Sequence, residues 1–323
     1  MSVFVNTLLQ NYTQHSKTLP ESILDLIGDT PLLNLNAISP NVGGMILAKA
    51  EFLNPSGSIK DRMVAYAIES AERRGELYPE GVVVEASSGN TGVSLAMVAA
   101  VKGYRAVIIV PDTTSRVKVS MMMRFGAEII KIPADSGMKA VVEAANRIVD
   151  EWDAFLLDQF KNRDNVRAHF QTGREILDQV KQVDAFVAGV GTGGTLVGVA
   201  QVLKKANPDT KIIAVEPVTA PAFYNMHHGT DLPIGSGIPH KIEGIGETFV
   251  PDLLYRNRDL VDDVVLVSDG EAASFTRVLA EREGLIVGVS SGANVKASMK
   301  IAELLPQDAK VVTVLPDSGQ RYF

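Results

Sequence analysis

The stretch from Asp184 to Val197 reads DAFVAGVGTGGTLV and is the part of the sequence that most strongly determines the expected fold. It combines an apolar run, a glycine-rich turn and a second apolar run. A strand that is apolar throughout is typical of a parallel sheet covered by helices on both faces. Glycines after such a strand let backbone N–H groups approach an anion, and the next helix adds the positive end of its dipole. The stretch therefore predicts a phosphate-binding turn formed by Gly191, Thr192, Gly193, Gly194 and Thr195.

Apolar strands and amphipathic helices alternate along the chain from Lys49 onward. This order is typical of βαβ units, which build parallel sheets and bind ligands beyond the C-terminal ends of their strands. The pattern weakens between Pro217 and Asp263, and we expect this long connection to shape or cover a site. The predicted strands are Val82–Ala86, Ala106–Val110, Glu128–Ile132, Ala185–Ala188, Lys211–Glu216, Val264–Val267 and Val311–Leu315.

Length and composition limit the possible classes of protein. A chain of 323 residues predicts two packed domains or one large α/β unit. The 31 basic and 38 acidic residues give a net charge of -7, which disfavours general binding to nucleic acid or to an anionic membrane. No segment has the ~20 apolar residues of a membrane-spanning helix and no secretory signal is recognisable, so we expect a cytoplasmic protein. The absence of cysteine excludes disulfides and thiol nucleophiles.

The glycine-rich turn also fits a second interpretation. Gly189, Gly191 and Gly194 match G-x-G-x-x-G, and Glu216 ends the next strand, where an acidic residue would bind a dinucleotide ribose. A nicotinamide-dependent oxidoreductase is therefore the alternative of another class. It leaves two other motifs, described next, without a role, and a dinucleotide turn does not need two threonines.

A second turn, ASSGNTG at residues 86–92, follows another predicted strand and begins an apolar helix. Its free N–H groups and the helix dipole suit a carboxylate. Serine and asparagine are also favoured as N-caps, so a purely structural role stays open. The candidate substrate-binding residues of this turn are Ser87, Ser88, Gly89, Asn90 and Thr91.

A third turn, GVSSG at residues 288–292, matches the G-x-S-x-G form of a hydrolase nucleophile elbow. That fold needs a histidine later in the chain, and the last one is His240, so a hydrolase is excluded. Ser290 therefore has another role or only caps a helix. The histidines predict no metal site, because His227 and His228 are adjacent and would point apart in a strand.

The segment NPSGSIKDR, residues 54–62, places Lys60 where a turn ends and an amphipathic segment begins. A cation at a helix N-terminus opposes the helix dipole, and such a local violation often marks function. The dipole also favours the neutral amine, which can form an imine. Taken alone, this lysine is better explained as a solvated surface residue.

Six segments, in this order and spacing, resemble the cysteine synthase and cystathionine β-synthase family of pyridoxal-phosphate enzymes: NPSGSIKDR, SSGNTG, GTGGT, PHKIEGIG, GVSSGA and LPDSGQRY. The resemblance runs from about Leu24 to the end of the chain. It implies two doubly wound open-sheet α/β domains of the β-family (fold type II), with pyridoxal 5'-phosphate in the cleft between them. The expected smaller domain spans 49–163, and the larger one combines 21–48 with 164–323, after an N-terminal extension over 1–20.

The resemblance also implies a role for each candidate residue. Lys60 would form the Schiff base with the cofactor and then act as general base, while Asn90 would contact the ring 3-oxygen. Ser290 would face the pyridine nitrogen, and the glycine-rich turn would bind the phosphate. The substrate carboxylate would bind to Ser87–Thr91 with help from Gln159. Family members are usually homodimers, so we expect a homodimer with no nucleic-acid or membrane partner.

The reaction that this resemblance implies is β-replacement on an O-activated L-serine, with O-acetyl-L-serine and sulfide giving L-cysteine and acetate as the leading pair. The donor could instead be O-phosphoserine, serine or cysteine, and the nucleophile thiosulfate, homocysteine or an amine. Cystathionine, S-sulfocysteine and diaminopropionate-type synthases therefore stay open. Ser87 replaces a usual Thr and Thr114 a usual Met, which predicts a looser and more polar substrate pocket. No regulatory module follows Phe323, which counts against regulated cystathionine synthases.

Overall fold

The computed structural model describes residues 19–40, 43–235 and 240–322. The strands in this part of the chain are β1 (Leu32–Asn34), β2 (Met45–Lys49), β3 (Val82–Ala86), β4 (Arg105–Pro111), β5 (Glu128–Ile132), β6 (Phe155–Leu156), β7 (Ala185–Gly189), β8 (Lys211–Pro217), β9 (Asp263–Val267) and β10 (Lys310–Val314). The helices are α1 (Lys60–Arg74), α2 (Asn90–Lys102), α3 (Arg116–Arg124), α4 (Gly137–Trp152), α5 (Asp164–Val180), α6 (Gly194–Ala206), α7 (Ala222–His228), α8 (Asp252–Tyr255), α9 (Asp269–Glu283) and α10 (Val289–Ala302).

The strands form two separate sheets. The larger sheet has the order β1-β2-β10-β7-β8-β9, in which only β1 is antiparallel to its neighbour. The smaller sheet has the order β5-β4-β3-β6 and is parallel throughout. In both sheets the chain order reverses near the centre, which is the doubly wound arrangement that creates a crevice at the C-terminal strand ends. The predicted fold class, two doubly wound α/β domains, is confirmed.

Helices cover both faces of each sheet. In the larger sheet, α5 and α6 pack on one face while α9 and α10 pack on the other. In the smaller sheet, α1, α2 and α3 cover one face and α4 covers the other. Adjacent strand residues such as Phe186 and Val187 belong to opposite core layers, because successive side chains of a strand point to opposite faces. No helix formed by the described residues is long and apolar enough to cross a membrane.

All seven predicted strands are present, with ends within one residue of the expected positions. Three further strands, β1, β2 and β6, were not expected. Two of them contain only three and two residues, which is too short for a periodic pattern. The third, β2, ends in Lys49, and a lysine is among the residues least often fully buried in a sheet.

Sheet membership bears on the expected domain bounds. Strands β3 to β6 lie within 49–163, and β7 to β10 lie within 164–323. Lys49 departs from the expected division, since it ends a strand of the larger sheet. The bounds themselves stay a prediction, and residues 1–18 of the expected N-terminal extension lie outside the described residues.

Four buried charges connect the helix that begins at Lys60 to the larger domain. Arg62 on α1 donates hydrogen bonds to both carboxylate oxygens of Glu51 at 2.6 and 2.8 Å, and to both oxygens of Glu175 on α5 at 2.8 and 2.7 Å. Lys49 on β2 donates to Glu175 at 2.7 Å. The two cations and two carboxylates balance one another, and all four side chains are at most 9% exposed. Because buried charges require such partners, this cluster fixes α1 against β2 and α5.

Replacing Glu51 by Gln should lower the free energy of unfolding by about 3–5 kcal/mol, because it leaves a buried positive charge without its partner. Urea unfolding followed by circular dichroism measures the change. The matched control is Glu128→Gln, which removes one partner of an exposed pair with Arg105 and should cost at most about 1 kcal/mol. Equal losses in the two variants would contradict a special role for the buried cluster.

Candidate active site

Two adjoining cavities lie at the C-terminal ends of β3, β7 and β10. The larger has a volume of about 370 Å³ and the smaller about 50 Å³. They share Lys60, Asn90 and the start of the glycine-rich turn. Every predicted site residue except Gly194 lines one or both of them. The larger cavity is lined by Lys60, Ser87, Ser88, Gly89, Asn90, Thr91, Gln159, Gly191 and Thr192, and the smaller by Lys60, Asn90, Gly191, Thr192, Gly193, Thr195 and Ser290.

The glycine-rich turn after β7 has room for backbone only. A methyl group on Gly191 would lie 2.3 Å from the carbonyl oxygen of Gly244, and one on Gly194 would lie 2.0 Å from Oδ1 of Asn165. Gly193 has a φ of +84°, which other residues rarely adopt, and it is the N-cap of α6. The N-cap has no side chain to cap this helix, and although the N–H of Gly194 donates to Oγ1 of Thr192 at 3.4 Å, the helix N-terminus favours an anion. The turn therefore fits a phosphate group of the cofactor that the sequence predicts.

His169 supports this turn from below, although the sequence indicated no role for it. Its Nε2 lies 3.1 Å from Oγ1 of Thr195, and its Nδ1 lies 3.2 Å from Oγ1 of Thr172. Burial lowers the pKa of the imidazole well below its ordinary value, and the nearby Lys60 and Arg62 lower it further. A neutral imidazole can therefore fix the orientation of the Thr195 hydroxyl without adding charge. A lone histidine on α5, separated from the turn by β7, gave no signal in the sequence that could have predicted its contact with Thr195.

Lys60 is the first residue of α1, as the sequence predicted. It is partly buried and lines both cavities, which contradicts the alternative of a solvated surface lysine. Burial lowers the pKa of its amine, while the carboxylates of Asp317 and Glu247 oppose that change. The helix dipole acts in the same direction as burial. The site thus favours the neutral, nucleophilic form of this lysine.

The capping alternative is wrong for both Asn90 and Ser290. Helix α2 begins at Asn90 with Gly89 as its N-cap, and α10 begins at Val289 with Gly288 as its N-cap. Neither helix has a side-chain cap. Ser290 is 3% exposed and lines the smaller cavity. Neither polar side chain is therefore used as a helix cap.

The C-terminal segment holds Asn90 in place. The amide of Asn90 donates to Oδ2 of Asp317 at 2.7 Å and accepts a hydrogen bond from Arg321. Arg321 also donates to the carbonyl oxygen of Ser56, in the turn before Lys60. Tyr322 donates to the same carboxylate oxygen of Asp317. This segment belongs to LPDSGQRY, one of the six segments of the family resemblance, but its contact with Asn90 was not predicted.

A chain of hydrogen bonds joins the candidate substrate loop to the phosphate turn. Thr91 donates from Oγ1 to Oε1 of Gln159 at 2.6 Å. Asn165, which is fully buried, donates to the backbone oxygen of Gln159 at 2.8 Å and to Oγ1 of Thr192 at 2.9 Å. Asn165 is a second residue that sequence analysis missed. It fixes the spacing between the two anion-binding turns.

The long connection between β8 and β9 contributes to the cavity walls, as expected from the sequence. Glu243, Gly244, Glu247 and Phe249 line the larger cavity. Phe249 packs against Phe160 with ring centroids 5.6 Å apart, and this pair closes part of the cavity with apolar surface. Thr114, in contrast, lines a separate open groove along α3 and neither site cavity, so the expected more polar substrate pocket at this position is not found.

The structure excludes the use of Glu216 that a nicotinamide enzyme would need. Glu216 is 2% exposed, and its carboxylate oxygens accept the backbone N–H groups of Phe223 and Tyr224 at 3.0 and 2.8 Å. The carboxylate therefore caps α7 and is not open to a ribose.

His227 and His228 do not point apart on a strand, as the sequence had suggested. Both lie on α7 rather than a strand, and their ring nitrogens and a carboxylate oxygen of Asp263 lie within 4.8 Å of one another.

Glu85 is a buried acid that sequence analysis passed over. It lies in β3, is 3% exposed, and lines the larger cavity. Burial raises its pKa to about 8, and the charge of Asp158 adds to that rise, while hydrogen bonds from Asp158 and Gln159 oppose it. At neutral pH this side chain is therefore mainly protonated and uncharged.

A lysine whose pKa is lowered by burial, an anion-binding glycine turn and a second helix N-terminus in one interdomain crevice define the class of a cofactor-dependent α/β enzyme. A family model described as pyridoxal-phosphate dependent enzyme matches residues 23–317. The cysteine synthase of Staphylococcus aureus (strain N315) is 39% identical over 306 residues, covering 94% of this chain and 95% of that protein.

Solved structures show the same likeness. An O-ureido-L-serine synthase has a TM-score of 0.87 and 37% identity, covering 94% of each chain. The O-acetylserine dependent cystathionine beta-synthase from Helicobacter pylori has a TM-score of 0.86 and 33% identity, covering 95% of this chain and 98% of that chain. The chain therefore belongs to the family of pyridoxal-phosphate dependent enzymes. The predicted cofactor, pyridoxal 5'-phosphate, is confirmed, and the nicotinamide alternative is wrong.

Glu85→Gln should change the pH dependence of stability. The folded pKa of about 8 lies above the usual 4.5, so between these values the folded chain keeps a proton that the unfolded chain has released. The contribution of Glu85 is complete below about pH 4.5 and is lost as pH rises through 8, at up to about 1.4 kcal/mol per pH unit. Urea unfolding at about pH 5, 6.5 and 8 should show Glu85→Gln gaining stability relative to wild type as pH rises. The exposed Glu281→Gln should run parallel to wild type; parallel curves for both variants would refute the raised pKa.

Proposed function

We propose that this enzyme catalyses β-replacement on O-acetyl-L-serine, using sulfide to form L-cysteine and acetate. The proposal rests on one observation: the Lys60 amine, the phosphate turn and the N-terminus of α2 line two adjoining cavities. A serine derivative offers an amino group, a carboxylate and a leaving group on Cβ. These cavities hold a matching group for each of the first two.

The residues that would hold the cofactor surround the smaller cavity. Its phosphate would bind the turn from Gly191 to Thr195, which lines that cavity and leads into the N-terminus of α6. Asn90 would contact the ring 3-oxygen, and Ser290 would face the pyridine nitrogen. A neutral hydroxyl at that nitrogen favours the unprotonated ring more than a carboxylate would, and thus a weaker electron sink. Such a sink suits β-replacement and disfavours transamination.

Pyridoxal phosphate, when bound, supplies the electron sink for breaking the Cα–H bond and losing the β-substituent. Lys60 would anchor the cofactor and, once its Nζ is free, take the proton from Cα. Its lowered pKa supports this role, since a general base must be unprotonated near neutral pH. The N-terminus of α2 and the hydroxyls of Ser87 and Thr91 would bind the substrate carboxylate, with Gln159 oriented by Thr91. Phe160 and Phe249 would limit the access of water.

The choice of O-acetyl-L-serine rests on the cavity walls and on the relatives. Among the described residues that line the larger cavity there is no arginine, and Lys60 is the single cation, so a phosphorylated donor would lack a partner. Two relatives carry this donor or its product in their names, the cysteine synthase and the O-acetylserine dependent cystathionine beta-synthase. The same likeness supports a cytoplasmic homodimer as the proposed location and assembly.

Lys60→Ala should abolish cysteine formation from O-acetyl-L-serine and sulfide, because the variant lacks both the anchoring amine and the base. The colorimetric assay of cysteine with acid ninhydrin measures the rate. Lys161→Ala, at an exposed lysine outside both cavities, should retain the wild-type rate. A rate loss of about 10³-fold or more for Lys60→Ala is expected of a residue that touches the reacting atoms.

A wild-type protein that binds pyridoxal phosphate but converts no serine derivative would contradict the proposed function and favour a catalytically silent relative. Cysteine formation that persists in Lys60→Ala would contradict the role of Lys60. Turnover with another donor in place of O-acetyl-L-serine would leave β-replacement intact and overturn the choice of substrate.

A further inference from the structure

The larger cavity is lined by an excess of carboxylates. Its ionisable lining residues are one base, Lys60, and four acids: Glu85, Asp158, Glu243 and Glu247. Glu243 forms an ion pair with Lys118 of α3, so its charge is already balanced. Even when Lys60 is protonated, the carboxylates of Asp158 and Glu247 outnumber it among the residues that line the cavity. The field in the cavity is therefore negative.

Two of these acids, Asp158 and Glu247, have no hydrogen-bond or ion-pair partner among the described residues. Neither Asp158 nor Glu247 forms a side-chain hydrogen bond or an ion pair within residues 19–40, 43–235 and 240–322, and both are only partly exposed. The charged group that Glu247 faces besides Lys60 is His240, whose Nε2 donates to the backbone oxygen of Gly246 at 2.8 Å. Charges with restricted access to water normally have partners, so these two carboxylates invite a cationic ligand.

Glu85 adds an independent indication of a ligand. It is 97% buried, since its exposed fraction is 3%, and its Oε2 has no hydrogen-bond partner among the described residues. It lines the same cavity as Asp158, and the charge of Asp158 raises the pKa of Glu85. A buried and unsatisfied carboxyl oxygen at a cavity wall is costly unless a ligand completes it.

The larger cavity, of about 370 Å³, is lined by more residues than those assigned to the cofactor and the donor. Part of the lining lies away from Lys60, on α4 and β6, and combines apolar with polar side chains: Val142, Ala145, Asn146 and Leu156. This part has room for a nucleophile with a short carbon chain.

We propose that the enzyme accepts, as its second substrate, a small thiol that carries an ammonium group and no carboxylate, held by Asp158 and Glu247. This inference rests on the proposed β-replacement and names a nucleophile class for the same cavity. A carboxylate on the nucleophile is disfavoured, because the α2 N-terminus is taken by the donor and the described lining offers no second cation. Amino-acid thiols are therefore expected to react less well than cationic thiols.

The reaction is a substitution at Cβ of the donor and involves no oxidation or reduction. The Cβ–O bond breaks and acetate leaves with the electron pair. The thiol sulfur forms the new Cβ–S bond, and its proton is released to solvent through Lys60. The products are a thioether amino acid with a second amino group, acetate and one proton.

The test uses the holoenzyme with saturating O-acetyl-L-serine and compares 2-(dimethylamino)ethanethiol with its neutral isostere, 3-methyl-1-butanethiol. The tertiary amine carries a proton at neutral pH and cannot itself add to the cofactor aldehyde. Mercaptoacetate provides the anion and homocysteine the zwitterion. Each kcat/KM, from mass spectrometry of the thioether, is divided by the rate of that thiol with iodoacetamide, which removes differences in thiol acidity.

The cationic thiol should exceed its neutral isostere by about fivefold or more, the lower limit for two charges about 4 Å apart. Homocysteine and mercaptoacetate should rank below it. Glu247→Gln and Asp158→Asn should each reduce the ratio of cationic to neutral thiol, whereas the exposed Glu281→Gln should not. Saturation-transfer NMR without donor should detect the cationic thiol and not its neutral isostere on the holoenzyme, independently of turnover.

Sulfide serves as the internal reference. If sulfide gives cysteine while the thiols rank without regard to charge, the inference about the nucleophile is overturned and the proposed function stands. If neither sulfide nor any thiol reacts, the proposed function itself fails. Since the wild-type ranking and the NMR signal need no variant, a misfolded Glu247→Gln or Asp158→Asn would not prevent the decision.

Discussion

The buried charge cluster around Arg62 is the constraint on which the site depends. Arg62 lies two residues after Lys60 on α1, and its guanidinium is bound by Glu51, which follows β2 of the larger sheet, and by Glu175 of α5. The direction of α1, and with it the position of the Lys60 amine, is therefore set by contacts outside the cavities. Such a cluster adds little net stability compared with an apolar core of the same shape, but it permits few alternative arrangements. That is the property a reactive lysine between two sheets requires.

Opposite electrostatic environments meet in the crevice that this cluster helps to shape. The free N-termini of α2 and α6 favour negative groups, namely a carboxylate and a phosphate. Other parts of the lining carry Asp158 and Glu247, which favour a positive group. Burial lowers the pKa of the Lys60 amine, which lines the same crevice. The helix N-termini thus favour the anionic groups of the reactants, and the two carboxylates favour a positive group. Lys60, the proposed base, lines the same crevice.

The sequence was sufficient to predict the parts of the site that are local. Two of the three glycine turns join a strand to a helix, and each of the three lies within about ten residues, so its chemistry can be predicted from neighbouring residues. Lys60 stands out for a similar reason, since it occupies the wrong end of a helix dipole. The alternating apolar runs predicted seven of the eight strands that have five or more residues, because buried strands of a parallel sheet carry an unbroken apolar signal. The two-sheet fold followed from these runs and the family resemblance.

The residues that the sequence could not reveal act across long separations. His169 supports Thr195 from another helix, Asn165 joins Gln159 to Thr192, and Asp317 holds Asn90 from 227 positions away. Glu85 looked like an ordinary polar residue of a strand until its burial was known. The histidine pair on α7 was misjudged because a strand was assumed where a short helix forms. These are consequences of tertiary packing, which local propensity and periodicity do not encode.

The central claim is that Lys60, among all lysines of the chain, carries the cofactor. Borohydride reduction of the holoenzyme fixes a pyridoxal-phosphate–lysine linkage, and peptide mapping by mass spectrometry then locates the phosphopyridoxyl group. We expect one phosphopyridoxyl group per chain, on the peptide that contains Lys60. A label on another lysine, or a holoenzyme whose Lys60 peptide stays unlabelled, would contradict it.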